Sequence, residues 1–262
     1  MKVIFIGDIV GKPGRRAVTQ ILPALRKELG IDVAIANLEN LAHGKGMTRT
    51  TYEEILAAGV DIGSGGNHTF SKPEAGALFR DPSLRLVRPA NIPVEFPGEG
   101  MKTFTVSQKR VTMINLLGEL GMPFPPVDSP FTAMQKILDQ GLPVADATIV
   151  DIHAIFTSEK VAMGWYLDGK VSAVIGTDTH IPTADTRILP KGTGYQTDAG
   201  MVGLHDSSLG VDWHAPLEKF LSGAKAPWEI PEHGLVDFQA VLLEITEGRT
   251  RRIERISRQI EV

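Results

Sequence analysis

Five times along this chain, a short run of apolar residues stops at carboxylate, amide or imidazole groups. Val3-Ile4-Phe5-Ile6 runs into Gly7-Asp8, and Val33-Ala34-Ile35-Ala36 runs into Asn37-Leu38-Glu39-Asn40. Val60-Asp61-Ile62 leads to Gly65-Gly66-Asn67-His68, and Ala147-Thr148-Ile149-Val150 to Asp151-Ile152-His153. Ser172-Ala173-Val174-Ile175 leads to Gly176-Thr177-Asp178-Thr179-His180. Apolar runs without polar alternation are the pattern of strands buried on both faces. Early in the chain these runs alternate with helices, which predicts a largely parallel sheet. Ligands of open α/β sheets bind beyond the carboxyl ends of the strands. The five polar ends are therefore expected to gather along a common edge of one sheet.

Helix signals fill the gaps. Residues 15–28 place Ala17, Ile21, Leu22 and Leu25 on one face, with Pro23 expected to kink the helix or shift its start. Thr50-x-x-Glu53 reads as a capping box for a helix to about Ala58, which Gly59 ends. Ser71-Lys72-Pro73-Glu74 caps another, to about Phe79. Further helices are expected over 131–140, 158–167 and 217–221. Residues 103–106 and 111–117 are predicted to pair as a hairpin turning near Gln108-Lys109, and 238–245 with 250–256 through Glu247-Gly248. Charges around Ile253 mark a half-exposed edge. These hairpins predict a second, mixed or antiparallel sheet. Residues 84–100 and 193–210 read as irregular connections. Residues 118–130, with four prolines, read as a surface excursion at a lid or an oligomer contact. No repeat or composition break divides the 262 residues, so a single α/β domain over 1–262 is expected.

Bulk properties narrow the chemistry. Hydrophobic residues make up 42% of the chain and mean hydropathy is near zero, as in a soluble globular protein with a sizeable core. The net charge of −4 and pI near 6.0 leave no basic footprint, so no duplex nucleic acid is expected as a partner. A small anionic substrate remains compatible, because the charge of a bound metal dominates locally. The chain has no cysteine, which excludes disulfides, thiolate metal sites and Cys nucleophiles. The first apolar run is too short for a signal sequence, and no run approaches the roughly 20 residues that span a bilayer. A cytoplasmic protein without a membrane partner is expected.

Gly7 to Lys12 approximates a phosphate loop, but the spacing is one residue short and Pro13 replaces the required Ser or Thr. No dinucleotide fingerprint follows the first strand either. The strand ends themselves are richer. Asp8, Glu39, Asn40, Asn67, His68, His153, Asp178 and His180 offer oxygen and nitrogen donors without sulfur, a set that suits Mn, Fe, Zn or Mg. They are too many for one ion and about enough for two. Two ions about 3.5–4 Å apart favour in-line attack at phosphorus: they turn water into hydroxide near neutral pH and screen the developing charge. Taken singly, each residue has a plainer role. Asp8 caps a helix, Glu39 and Asn40 make a turn, Gly66-Asn67-His68 is a turn with a surface His, and His153 is a hydrogen-bonded core His. Asp178 and His180 fit the plain role least, because alternate residues of an extended segment point the same way. Five such ends in one chain outweigh the separate explanations. His43, His205, His214 and His233 lack a strand-end setting and read as loop residues, with His205, beside Asp206-Ser207, kept as an outer partner of the site.

Asp8, Glu39-Asn40, Gly66-Asn67-His68, His153 and Gly176-x-x-x-His180 follow the order found in the calcineurin-like metallophosphoesterase superfamily, and the chain resembles its small bacterial YmdB-like branch. The resemblance covers almost the whole length. It includes Phe5-Ile6-Gly7-Asp8-Ile9-Val10-Gly11, Thr157-Ser158-Glu159-Lys160, Pro182-Thr183-Ala184-Asp185 and Tyr195-Gln196-Thr197-Asp198-Ala199-Gly200. It implies an α/β/β/α four-layer sandwich and a centre of two divalent metal ions, Fe or Mn first and Mg or Zn as alternatives. It implies hydrolysis of phosphodiester bonds in small nucleotide substrates, cyclic 2′,3′ and by extension 3′,5′. Carried over by position, Glu39 bridges the ions. Asp8, Asn40 and His180 complete one shell, and Asn67, His153 and Asp178 the other. His68 protonates the leaving oxygen, a general-acid role that suits imidazole. A homo-oligomer is compatible with the sequence.

Two positions depart from the branch, which usually carries His where Asp178 stands and an acidic residue where Ile155 stands. An added carboxylate makes the two-cation centre one unit less positive. That is expected to weaken its Lewis acidity and to favour Mn²⁺ or Mg²⁺ over softer binding. Ile155 removes a supporting partner for a ligand. These departures motivate the competing expectation of a binding or regulatory protein that keeps the fold and metal site with little or no turnover.

Overall fold

The structure, a computed structural model, describes residues 1–122, 127–223 and 227–262. In chain order it begins β1 (Lys2–Ile6), β2 (Asp8–Ile9), α1 (Gly11–Leu29), β3 (Val33–Asn37), α2 (Arg49–Ala57), β4 (Ile62–Ser64) and α3 (Ala75–Arg80). The hairpin of β5 (Met101–Val106) and β6 (Lys109–Leu117) precedes α4 (Pro130–Gln140), β7 (Ala147–His153), α5 (Thr157–Leu167) and β8 (Ala173–Thr177). Then follow β9 (Arg187–Ile188), β10 (Gly194–Gln196), β11 (Met201–Leu204), α6 (His214–Ser222) and the long hairpin of β12 (Leu235–Thr246) and β13 (Arg249–Glu261).

Two mixed sheets result. The first joins parallel β1, β3 and β4 to β12, β13, β11 and β2, with β12 antiparallel to β1. In the second, β6, β7, β8 and β10 are parallel, with β5 and β9 antiparallel at its edges. The polar strand ends therefore do not share one sheet, as the sequence pattern suggests. Those after β1, β3 and β4 belong to the first sheet, and those after β7 and β8 to the second. Each hairpin completes a different sheet, because a strand's burial pattern carries no label for its neighbour.

Alternate residues of β1 enter two cores. Val3 and Phe5 face the second sheet, packed among Ile35, Val241, Val111, Met113, Ile149 and Ile175. Ile4 and Ile6 face outward onto Ala17, Val18, Leu22 and Leu25 of α1. The second sheet repeats this on its own outer face, where Ile114, Leu116, Val150 and Ile152 meet Met134 of α4 and Met163 and Leu167 of α5. Helix, sheet, sheet and helix thus stack as the expected α/β/β/α sandwich, and burial on both faces is why the apolar runs lack alternation.

Local boundaries differ in instructive ways. Helix α1 begins at Gly11 and runs through Pro23. Helix α2 is capped by Thr48 and Thr51 rather than Thr50 and Glu53. The Thr48 hydroxyl accepts the Thr51 N–H at 3.3 Å, and the Thr51 hydroxyl accepts the Thr48 N–H at 3.0 Å. Thr48 is the residue with extended backbone, whereas Thr50 already lies inside the helix. Helix α3 starts after Glu74 with no side-chain cap, and α6 begins at His214. Residues 193–210 contain two buried strands, β10 and β11, which are too short and too rich in glycine to show as apolar runs. The hairpin turns fall at Ser107-Gln108 and Glu247-Gly248, each pair with φ above zero, as two-residue turns require. The expected excursion over 118–130 includes 123–126, which lie outside the described residues. Among the described residues, no helix is long and apolar enough to cross a membrane.

Candidate metal centre

The carboxyl ends of β3 and β4 meet those of β7 and β8 at the seam between the sheets, with Asp8 of β2 beside them. His153, fully buried at the end of β7, is the hub. Its Nε2 lies 3.1 Å from Glu39 Oε1, 3.1 Å from Asp178 Oδ1 and 3.1 Å from Asn67 Oδ1. One ring nitrogen carries at most one hydrogen and cannot satisfy three oxygens. A cation can: donors about 2.1 Å from an octahedrally held ion stand about 3.0 Å from one another. A second group adjoins the first. Asn40 Nδ2 is 3.2 Å from Asp8 Oδ1 and 3.4 Å from His180 Nε2, which is itself 3.8 Å from Asp8 Oδ1. Half a turn of the Asn40 amide exchanges its nitrogen for oxygen and completes a donor set. Asp8, Glu39 and His153 bring ligand atoms within 4.8 Å of one another and so connect the groups.

A buried polar network orients the hub. The Thr177 hydroxyl donates to Asp151 Oδ1 at 2.6 Å, so its oxygen accepts from His153 Nδ1 at 2.9 Å. The Ser64 hydroxyl and the Asn37 amide donate to Asp151 Oδ2 at 2.5 and 3.2 Å. With Nδ1–H donated to Thr177, Nε2 faces the three oxygens, and the neutral ring's lone pair there would serve a metal ion. Burial opposes charge on this ring, but the Glu39 and Asp178 carboxylates overcome it and raise its pKa well above the usual value. Burial pushes Asp8 up to about 7, against the pull of His180 and His153. Both shifts mark a pocket short of positive charge, which a divalent ion would supply.

Backbone geometry brings the donors this close. A Cβ on Gly66 would stand 2.2 Å from Glu39 Oε2 and 2.5 Å from His153 Nε2, so only glycine lets the loop pass. Two residues on, the His68 N–H donates to Glu39 Oε2 at 2.8 Å. Asp178 and His180 do not project from an extended segment: β8 ends at Thr177, and their φ values are 95° and 63°. Two left-handed residues turn one carboxylate toward His153 and one imidazole toward Asp8. Thr179 between them is tied to Asp198 Oδ2 through its N–H at 3.1 Å and its hydroxyl at 2.7 Å. Asp198 in turn pairs with Lys160 Nζ at 2.7 Å, with both side chains fully buried. Strained backbone held by surrounding structure is characteristic of functional sites.

A cavity of about 620 Å³ opens onto Glu39, Asn40, His68, Asp178 and His180. His43 and Lys45 also line it, so His43 belongs to the site's surroundings rather than to a plain loop. His205 is not an outer partner of the site; it pairs with Asp237 at 2.8 Å on the surface, because β11 carries it away from the strand ends. Ile155 is 41% exposed, beside Gly121, and makes no polar contact with the donors. Sequence reasoning missed Asn37, Ser64, Asp151, Thr177, Lys160 and Asp198 as supports. The available signal for the first four was a polar residue at the last turns of an otherwise apolar strand.

Known proteins are similar to this chain in sequence and shape. The family described as YmdB-like protein matches residues 4–256. The 2′,3′-cyclic-nucleotide 2′-phosphodiesterase of Bacillus subtilis (strain 168) is 40% identical over 258 residues, which cover 98% of this chain and 96% of that protein. The crystal structure of a hypothetical protein from Thermus thermophilus has a TM-score of 0.91 at 40% identity, covering 99% of both chains. That of a phosphatase from Mycoplasma pneumoniae also reaches 0.91, at 33% identity, covering 100% of this chain and 94% of the other. A calcineurin-like phosphoesterase from Bacillus subtilis, at a TM-score of 0.54 and 12% identity, shares the fold alone. With the match extending over nearly its whole length, this chain belongs to the YmdB-like family.

Proposed function

We propose that the protein is a phosphodiesterase, dependent on two divalent metal ions, that cleaves small cyclic nucleotides, 2′,3′ first and 3′,5′ by extension. The observation that carries this is the convergence of three oxygens on the single Nε2 of His153. The name of the Bacillus subtilis relative supports the substrate class. Glu39 would bridge the ions, with Asp8, Asn40 and His180 on one side and Asn67, His153 and Asp178 on the other. Fe or Mn comes first as the occupant, with Mg or Zn as alternatives. The oxygen donor Asp178, in place of an imidazole, moves the preference toward Mn²⁺ or Mg²⁺. When bound, the ions supply a nucleophilic water at neutral pH and positive charge for the phosphoryl oxygens. The residues of the chain do the rest. Glu39 Oε2 anchors the His68 backbone, and His68 lines the cavity. Burial lowers the pKa of its ring, which makes the cation a readier proton donor. In hydrolysis the oxygen of water joins phosphorus, one P–O bond breaks, and the departing oxygen takes the His68 proton. The working setting is the cytoplasm, with neither duplex nucleic acid nor membrane as partner and homo-oligomerisation compatible.

The test is turnover of bis-p-nitrophenyl phosphate and 2′,3′-cyclic AMP with added Mn²⁺. Asn67→Ala is expected to abolish both. His68→Ala is expected to lower kcat about 10²–10⁴-fold on the cyclic nucleotide and less on the nitrophenyl ester, whose leaving oxygen needs no proton. Absence of turnover with any divalent ion would refute the proposal and favour a metal-holding regulatory protein.

A further inference from the structure

The lining of the cavity over the metal centre is of two kinds. Glu39, Asn40, His68, Asp178 and His180 offer polar groups, while Leu209, Val211, Pro216, Phe220, Trp228 and Ile230 are apolar or aromatic. Its rings are open: Trp228 is 55% and Phe220 81% exposed. It is also anchored. Ile230 reaches over Gly44, where a Cβ would stand 2.8 Å from its Cδ1, and the Asp212 N–H donates to Glu229 O at 2.8 Å. Lys219 Nζ lies 5.6 Å from the Trp228 ring centroid, a cation–π contact that restricts the indole.

We infer that Trp228 and Phe220 form a nucleobase-stacking subsite, so that this aromatic lining selects nucleoside cyclic phosphates over base-free phosphodiesters. The inference rests on the proposed phosphodiesterase activity and adds a basis for its choice of substrate. A heteroaromatic base is flat and has two π-faces, and it stacks on indole or phenyl rings whatever its identity. An open aromatic wall in the same cavity as the metal centre is where such a base would lie once the phosphate is held at the donors. Its volume is in the range of cavities that enclose ligands of nucleotide size. The wall offers stacking faces, so the subsite should discriminate base from no base more strongly than one base from another.

The experiment compares 2′,3′-cyclic AMP with glycerol 1,2-cyclic phosphate, which has the same five-membered cyclic diester and no base. Steady-state kinetics on the Mn²⁺-loaded full chain give the ratio of kcat/KM for the two. The wild type is expected to prefer the nucleotide. Trp228→Ala and Phe220→Ala are each expected to shrink that ratio by about 5- to 150-fold, mainly through KM for the nucleotide, with Trp228→Phe retaining most of it. A ratio unchanged in both alanine variants overturns the subsite. If the wild type turns over neither compound, the phosphodiesterase proposal fails separately, and equilibrium dialysis of 2′,3′-cyclic AMP decides the subsite. Binding by the wild type that weakens in Trp228→Ala supports it, while equal affinity or no binding overturns it.

Discussion

Lys160→Met removes one charge from a pair with no exposure to solvent. Lys160 Nζ and Asp198 Oδ2 are 2.7 Å apart, and neither side chain reaches the surface. Removing one member of a buried ion pair costs about 3–5 kcal/mol, because the survivor keeps its charge in a poor solvent. Asp198 would retain three donors, the Thr179 N–H, the Thr179 hydroxyl and the Gly200 N–H. That support places the expected cost at the lower end, about 3 kcal/mol. For 262 residues, unfolding at about 2.1 cal/mol/K per residue converts this into a fall in Tm of about 5 °C. Differential scanning calorimetry reads it directly. Lys160 holds the same Asp198 oxygen that fixes Thr179 between Asp178 and His180, so its loss should loosen that anchor and lower Mn²⁺ affinity about 10-fold, the low end for an outer partner. Lys160→Met/Asp198→Asn removes the stranded charge and should recover part of the stability without recovering metal affinity. A Tm within about 1 °C of wild type together with unchanged Mn²⁺ affinity would refute the reasoning. A double variant less stable than Lys160→Met would do the same.

Other outcomes follow from the same geometry. Gly66→Ala places a methyl group against Glu39 and His153, so metal content measured after loading should fall, with affinity weakened about 10–100-fold; wild-type loading would show that the loop has room. Asp178→His exchanges an oxygen donor for nitrogen and should shift preference from Mn²⁺ or Mg²⁺ toward softer ions; identical metal content and rates in the two proteins would count against it. The hydrogen bond between His205 and Asp237 raises the pKa of the His205 ring above its usual value. The pair therefore contributes stability that is fully present below the unfolded value and lost as pH rises through the folded one. The Tm difference between wild type and His205→Ala should shrink from pH 5.5 to pH 8.5, and a constant difference would contradict this.

Much of the layered fold was legible because burial on both faces leaves a direct trace. Val3 to Ile6 shows no alternation, since Val3 and Phe5 face one core while Ile4 and Ile6 face another. The meeting of Asp8, Glu39 and His153 was legible for a related reason: each stands where an apolar strand ends, and several such ends converge. The division into two sheets was hidden, because pairing partners are set by tertiary packing rather than by the strand's own residues. Strands β10 and β11 were hidden because Gly194 and Gly203 interrupt runs of three and four residues that neighbours hold in place. The route by which Asp178 and His180 converge was hidden as well, since positive φ at non-glycine residues has no local signature. Thr48 was overlooked as a cap in favour of Thr50, as two hydroxyls two residues apart present the same local pattern.

The donors come from opposite halves of the molecule. Glu39, Asn40 and Asn67 follow strands of one half, and His153, Asp178 and His180 follow strands of the other. Loading the site would therefore fasten the halves together, like a clasp, at the end of an otherwise greasy and slippery contact. Ion uptake and native assembly would then be thermodynamically linked, and ions at a thousandfold excess over Kd would contribute about 4 kcal/mol to the folded state. Chelation should quicken amide exchange in β3 and β7 alike, although no covalent neighbour connects them. The reaction centre would also be a fastener, and a chain short of metal would lose rigidity along with turnover.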